Sequence, residues 1–341
     1  MTQARNHLIS VDDTPYYHCV SRCVRKAFLC GSEGKQCFEH RRGWITERIK
    51  TLAATFSIDV AAYAVMSNHY HLVLRIDSEQ PRLWSQQEVI TRWLQIFKAP
   101  DIINRHNKSA LTTNAELNVV NTIVETWRER LGSISWFMKC LNEHIARKAN
   151  SEDNCTGHFW EARFKSQALL DQTAVLACMA YVDLNPIRAQ MAKTPETSDY
   201  TSIQERLGMS PAPLKSNDVR QQSEEQIGNK LTLVPLLAFA GNEHEDNNPK
   251  HLPFHLIDYF ELVDWTGRCV RDDKRGAIQS NLPTILIRLG LDQQQWLKAA
   301  TGIECDFHKA IGRVSALKQL AERFKQHWLQ GKKSCLNLYP Q

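Results

Sequence analysis

The stretch YAVMSNHYHLVL, residues 63–74, sets His69 and His71 one residue apart inside an apolar run. On a β-strand alternate side chains share a face, so the two imidazoles stand side by side, roughly 7 Å apart along the chain. Tyr70, Leu72 and Leu74 then point to the other face and can anchor the strand in a core. A pair of imidazoles on one face suits a divalent cation, although a half-exposed sheet also places polar residues toward water at this spacing. MAYVDLNPIRA supplies what the pair lacks. Tyr181 and Asn185 are four residues apart on a predicted helix and therefore share a face. Asn185 can offer an amide oxygen as a third ligand, and Tyr181 then sits beside the cation as a nucleophile. A phenol titrates near pH 10 and is sluggish at neutral pH unless a cation polarises the electrophile and favours the phenolate. A metal-bound phosphodiester meets both needs, and the resulting phosphotyrosine bond keeps its energy, so a broken strand can be rejoined. The structural alternatives are a half-buried core tyrosine and an asparagine that ends a helix before Pro186.

These residues need a scaffold. PYYHCVSR (15–22) reads as a strand, and FEHRRGWITERIKTLAATF (38–56) has helical spacing at Trp44, Ile45, Ile49, Leu52 and Phe56. IDVAAYAVM and HYHLVLRI read as a hairpin turned at Ser67-Asn68. A helix with a Ser85/Glu88 capping box follows, burying Val89, Trp93, Ile96 and Phe97, and a polar stretch from about 99 to 120 reads as a loop or insertion. Residues 133–150 are a further amphipathic helix, 163–171 a strand, and 173–185 a helix stopped by Pro186. The order β-α-β-β-α-β with one more helix predicts an α+β fold, an antiparallel sheet with helices on one face. The divisions expected are a catalytic domain over 1–195 with an insertion at about 77–132, a linker over 196–251 rich in Pro, Ser, Asn and acids, and a C-terminal helical domain over 252–341. In the last of these, Leu317, Leu320, Phe324 and Trp328 form the stripe of a helix ending at Gly331.

The composition is that of a globular chain: 43% hydrophobic, 23% charged, with a mildly basic net charge of +5 that permits a polyanionic partner. No apolar run is long enough to span a bilayer and the N-terminus lacks a secretory pattern, so a soluble, cytoplasmic location is expected, with no membrane partner, and a DNA partner would add association with the nucleoid. The ten cysteines lack zinc spacing and read as reduced, structural thiols.

Taken together, SNHYHLVL, GHFWEARFKSQALLD and AYVDLNPIRAQM resemble the single-tyrosine HUH transposases, most closely the branch called REP-associated tyrosine transposases, and YYHCVSRCVRKAF resembles that family's first strand. The resemblance spans residues 13–195. His69 and His71 take the positions of the family's histidine pair. Gly157, His158, Trp160, Arg163, Phe164, Lys165 and Ser166 match its second motif, and Tyr181 and Asn185 match the nucleophile and a metal ligand. It implies a ferredoxin-like domain that uses Mg²⁺ or Mn²⁺ to nick and rejoin single-stranded hairpin DNA through a 5′-phosphotyrosine intermediate. The implied substrates are repeated extragenic palindromes or insertion-sequence ends, acted on by a monomer or homodimer. Asp183 departs from the family's usual histidine, and the insertion and C-terminal region enlarge a normally compact domain.

Within this frame Arg163, Lys165 and Arg188 are the expected phosphate contacts, and Trp160 or His158 the expected base-stacking side chains. The basic stretch 267–276 and the basic face of the last helix are further places to hold DNA. The competing readings are a catalytically silent DNA-binding relative recognising palindromic repeats, and a metallohydrolase barrel. The barrel needs eight β-α units that the helix-rich second half does not supply.

Overall fold

The computed structural model describes residues 8–24, 29–33, 36–110, 113–209, 236–240, 250–270 and 283–339. In chain order the main elements of the first part are β1 (Tyr16–Arg22), α1 (Arg41–Thr55), β2 (Ile58–Val65), β3 (His69–Ile76), α2 (Gln86–Leu94), α3 (Asn114–Leu131), α4 (Ile134–Glu152), β4 (Lys165–Leu169) and α5 (Gln172–Asp183). They are followed by α6 (Ser202–Arg206), α7 (Leu256–Val270), α8 (Gln293–Asp306), β5 (Ala310–Ile311), α9 (Val314–Arg323) and α10 (Lys332–Leu338).

The chain is an α+β protein built on one main sheet of order β2-β3-β1-β4-β5. The first four strands pair antiparallel, as the sequence order predicts, and β5 adds itself parallel to β4. The sheet is therefore mixed rather than purely antiparallel. Its register fixes what shares a face: Val20 lies opposite His71, Arg22 opposite His69, His18 opposite Val73 and Gln167 opposite His18. By alternation, His69, His71, His18, Arg22, Gln167 and Lys165 all belong to one side.

Tyr70, Leu72 and Leu74 are buried on the other side, where the Tyr70 hydroxyl donates to the side-chain oxygen of Asn142 on α4 at 2.5 Å. Burying each of those leucines stabilises the fold by about 2 kcal/mol. Helices were expected on one face, and α1 and α4, packed together, meet that expectation. α5 instead covers the histidine face, touching β2, β3 and β4 below and α8 above. Sandwiched in this way, it is buried from Thr173 to Asp183, which explains a sequence apolar all round. Its start is fixed by Asp171, whose carboxylate accepts the Ala174 N–H at 2.9 Å.

The polar stretch expected as a loop from about 99 to 120 is helical. A short helix covers Asp101–Asn107, and Thr113 and Glu116 form a reciprocal capping box that starts α3. Val120, Val124, Trp127 and Leu131 make its buried stripe, and Trp127 stacks on Trp93 of α2 at 5.2 Å. The polar residues that suggested a loop are its solvent face. At the other end, the predicted helix through Gly331 breaks early: Lys325 adopts a left-handed backbone (φ 54°), and Gly331, at φ 98°, caps the start of α10 instead of the end of α9. Leu317 and Leu320 are buried as expected, whereas Trp328 leaves the stripe and is 67% exposed.

Among the described residues no helix is long and apolar enough to cross a membrane. All ten cysteines are unpaired. Most of the expected linker, and the basic stretch from residue 271 onward, lie outside the described residues.

Candidate active site

His71 is fully buried at the centre of a hydrogen-bonded row that crosses three strands and a helix. Its Nδ1 lies 3.0 Å from His18 Nε2, and its Nε2 lies 2.8 Å from the Asn185 side-chain nitrogen. His18 Nδ1 is 3.3 Å from Gln167 Oε1, and the Gln167 amide donates to the carbonyls of Phe307, Ile303 and His308 at the end of α8. One assignment satisfies every link. Gln167 accepts from His18 Nδ1–H, His18 Nε2 accepts from His71 Nδ1–H, and His71 Nε2 keeps its lone pair toward Asn185. His69 reaches the same tautomer separately, its Nδ1 lying 2.6 Å from Asn68 Oδ1.

Burial, followed by the neighbouring His18, His69, Arg188 and Arg22, holds His71 well below the ordinary histidine range. Burial, then Arg22, Arg188 and His18, pushes His69 down to about 4. Burial lowers His18 to about 4 as well. The imidazoles are therefore neutral at physiological pH, the form that ligates a metal.

Tyr181, on the last turn of α5, presses its ring edge-on against two of these histidines, with centroids 5.7 Å from His71 and 6.1 Å from His18. It is 3% exposed. Arg188 stacks over the ring, its guanidinium carbon 4.0 Å from the centroid, and donates to the Thr301 carbonyl of α8 at 3.3 Å. Burial raises the Tyr181 phenol above its ordinary value, and Arg188 works against that rise. The two histidines, the tyrosine and the asparagine, more than a hundred residues apart in sequence, thus occupy one site.

Among the described residues, no three histidine, cysteine or carboxylate side chains form a ready metal cage. The donor chemistry still fits a divalent cation. His69 and His71 are neutral, their rings lie 4.8 Å apart, and a carboxamide stands against the Nε2 of His71. Turning the Asn185 amide would present its oxygen in place of its nitrogen.

Of the remaining predicted residues, Arg163 and Lys165 are exposed on the rim of a cleft beside the site. His158 is exposed. Trp160 is partly exposed; its ring packs edge-on against Tyr70, on the face away from the histidines, at 5.7 Å, and its indole N–H donates to the Asn142 carbonyl at 2.8 Å. Its indole N–H ties the stretch before β4 to α4. Asp183 turns from the site. Its carboxylate accepts from the Ser202 hydroxyl, from the Ile203 N–H at 2.9 Å and from the Tyr259 hydroxyl at 2.5 Å, joining α5 to α6 and α7.

The sequence reading passed over His18, Gln167, Arg22 and Glu304. His18 had a signal, since its strand is rich in β-formers and alternation aligns it with the neighbouring histidines once the strands pair. Glu304 had none. It arrives from α8, 119 residues after Asn185, with Oε1 4.0 Å from His71 Nδ1 and Oε2 3.8 Å from Arg22.

No family model matches this chain, and no curated protein matches it. Among solved structures, it is similar to that of a REP-associated tyrosine transposase bound to a REP hairpin, over 67% of this chain and 100% of that one, at 10% identity and a TM-score of 0.36.

Proposed function

We propose that this chain is a metal-dependent single-strand DNA endonuclease and strand transferase, with Tyr181 as its nucleophile. The observation that carries the reading is the packing of the Tyr181 ring on the His71 and His18 imidazoles, with Asn185 closing the row at 2.8 Å. His69, His71 and the amide oxygen of Asn185 would hold Mg²⁺ or Mn²⁺, whose charge supplies Lewis-acid polarisation of a phosphodiester. The Tyr181 oxygen then attacks phosphorus. A tyrosine–phosphorus bond forms, the bond from phosphorus to the 3′-oxygen breaks, and that oxygen takes up a proton as the phenol loses one. The 5′-phosphotyrosine retains the energy of the broken ester, so attack by a 3′-hydroxyl reverses the step. Gln167 and His18 act through His71, fixing which nitrogen keeps its lone pair. Arg163 and Lys165 would bind phosphates beside the site.

The test is incubation of the full chain with end-labelled palindromic single strands and Mn²⁺, followed by a denaturing gel. A covalent adduct is expected with metal and none after chelation. Binding without any adduct would leave a silent DNA-binding protein, and adducts that persist under chelation would remove the metal from the proposal.

Arg188 offers a second check. Its cation opposes the burial that raises the Tyr181 phenol, so Arg188→Gln should lower cleavage at neutral pH by about ten-fold and shift the rate profile toward higher pH. A uniform loss at every pH would mean that Arg188 acts on the DNA rather than on the phenol.

A further inference from the structure

Beside the histidine row lies a cleft of about 920 Å³, within the roughly 300–1,000 Å³ range of sites that take small organic ligands. One wall is the second motif, with Arg163 and Lys165. The other belongs to the C-terminal segment, with Glu304, Lys309, His327 and Trp328. Glu304 is the single carboxylate among its described lining residues, and it also stands 4.0 Å from His71, so one side chain links the cleft to the buried histidine row. Trp328 is the anomaly. The left-handed turn at Lys325 takes it off the α9 stripe and leaves an indole 67% exposed on the rim of a basic cleft.

We propose that this cleft holds unpaired nucleotides flanking the DNA hairpin, with Trp328 as the platform on which one base stacks. The inference rests on the nicking and joining function proposed above and assigns part of its substrate recognition to the C-terminal segment. Basic side chains along a groove track phosphates, and an exposed aromatic ring takes any base by its face. A duplex stem keeps its base faces stacked inside and offers none to the indole, so the occupant is single-stranded. Glu304, shared between the cleft wall and the surroundings of His71, puts such a strand one side chain away from the histidine row.

The experiment compares the full-length chain with Trp328→Ala and Trp328→Phe by fluorescence anisotropy. The probes are a labelled DNA hairpin and the same hairpin carrying an unpaired single-stranded flank. The wild type is expected to bind the flanked hairpin more tightly. Trp328→Ala should weaken that complex about ten-fold, Trp328→Phe should restore most of the loss, and the bare hairpin should bind all three proteins alike. With 5-iododeoxyuridine in the flank, the photo-crosslink should map to Trp328. A flank preference that survives Trp328→Ala, an equal loss for both probes, or a crosslink elsewhere would overturn the cleft assignment while leaving the proposed chemistry standing. Failure of the wild type to bind either probe would instead overturn the DNA reading itself.

Discussion

Tyr181→Phe should abolish covalent protein–DNA adducts and lower strand cleavage by roughly four orders of magnitude, the scale of losing a nucleophile outright. Binding of the hairpin should stay within about two-fold of the wild type, because the change removes one oxygen and leaves the ring packed on His71 and His18. The pairing of those outcomes is what discriminates. A fold defect would reduce binding and cleavage together, whereas a misassigned nucleophile would leave adducts intact. Gel-resolved adduct and anisotropy, measured on the same preparation, separate the cases. Because Tyr181 is also buried and capped by Arg188, the phenylalanine variant should melt close to the wild type.

The second large effect is one of stability. Asp183 is fully buried and accepts from Ser202, Ile203 and Tyr259. Asp183→Ala leaves those donors facing a cavity and should cost about 3–4 kcal/mol in urea unfolding. Asp183→Asn keeps an acceptor oxygen in place and should cost about 1 kcal/mol or less at pH 7. The two variants also differ in their dependence on pH. Burial raises the Asp183 carboxyl from 3.8 to about 6. The folded chain therefore holds this proton more tightly than the unfolded one. The associated stability is complete below about pH 4 and is lost as the pH rises through about 6. That decline should be present in the wild type and missing in Asp183→Asn. A wild-type stability that climbs through the same window would show the carboxylate to be favoured by its three donors instead.

How much of this was written in the sequence differs from residue to residue. The histidine strand could be read because period-2 alternation separates His69 and His71 from Tyr70 and Leu72 without knowledge of any partner. Tyr181 and Asn185 could be read because one helical turn is a local rule. The βαββαβ order followed from such local patterns, and with it the sheet that joins the two motifs. The polar stretch at about 99–120 reads as a loop in the sequence because a helix with a narrow buried stripe and many polar neighbours resembles one until Trp93 is known to stack on Trp127. Sequence does not say which side of the sheet the Trp160 ring meets, and it meets Tyr70, on the side away from the histidines. Gln167 and Glu304 depend on contacts between segments more than a hundred residues apart, and no local pattern announces those. Trp328 shows the same limit in reverse: helical spacing placed it in a core, and a single left-handed residue, Lys325, turned it outward.

The parallel pairing of β5 with β4 reaches beyond the site. Two residues, Ala310 and Ile311, seal a rim that would otherwise present bare backbone donors and acceptors to any passing strand. Replacing the final hundred residues wholesale would reopen that rim and set Gln167 adrift.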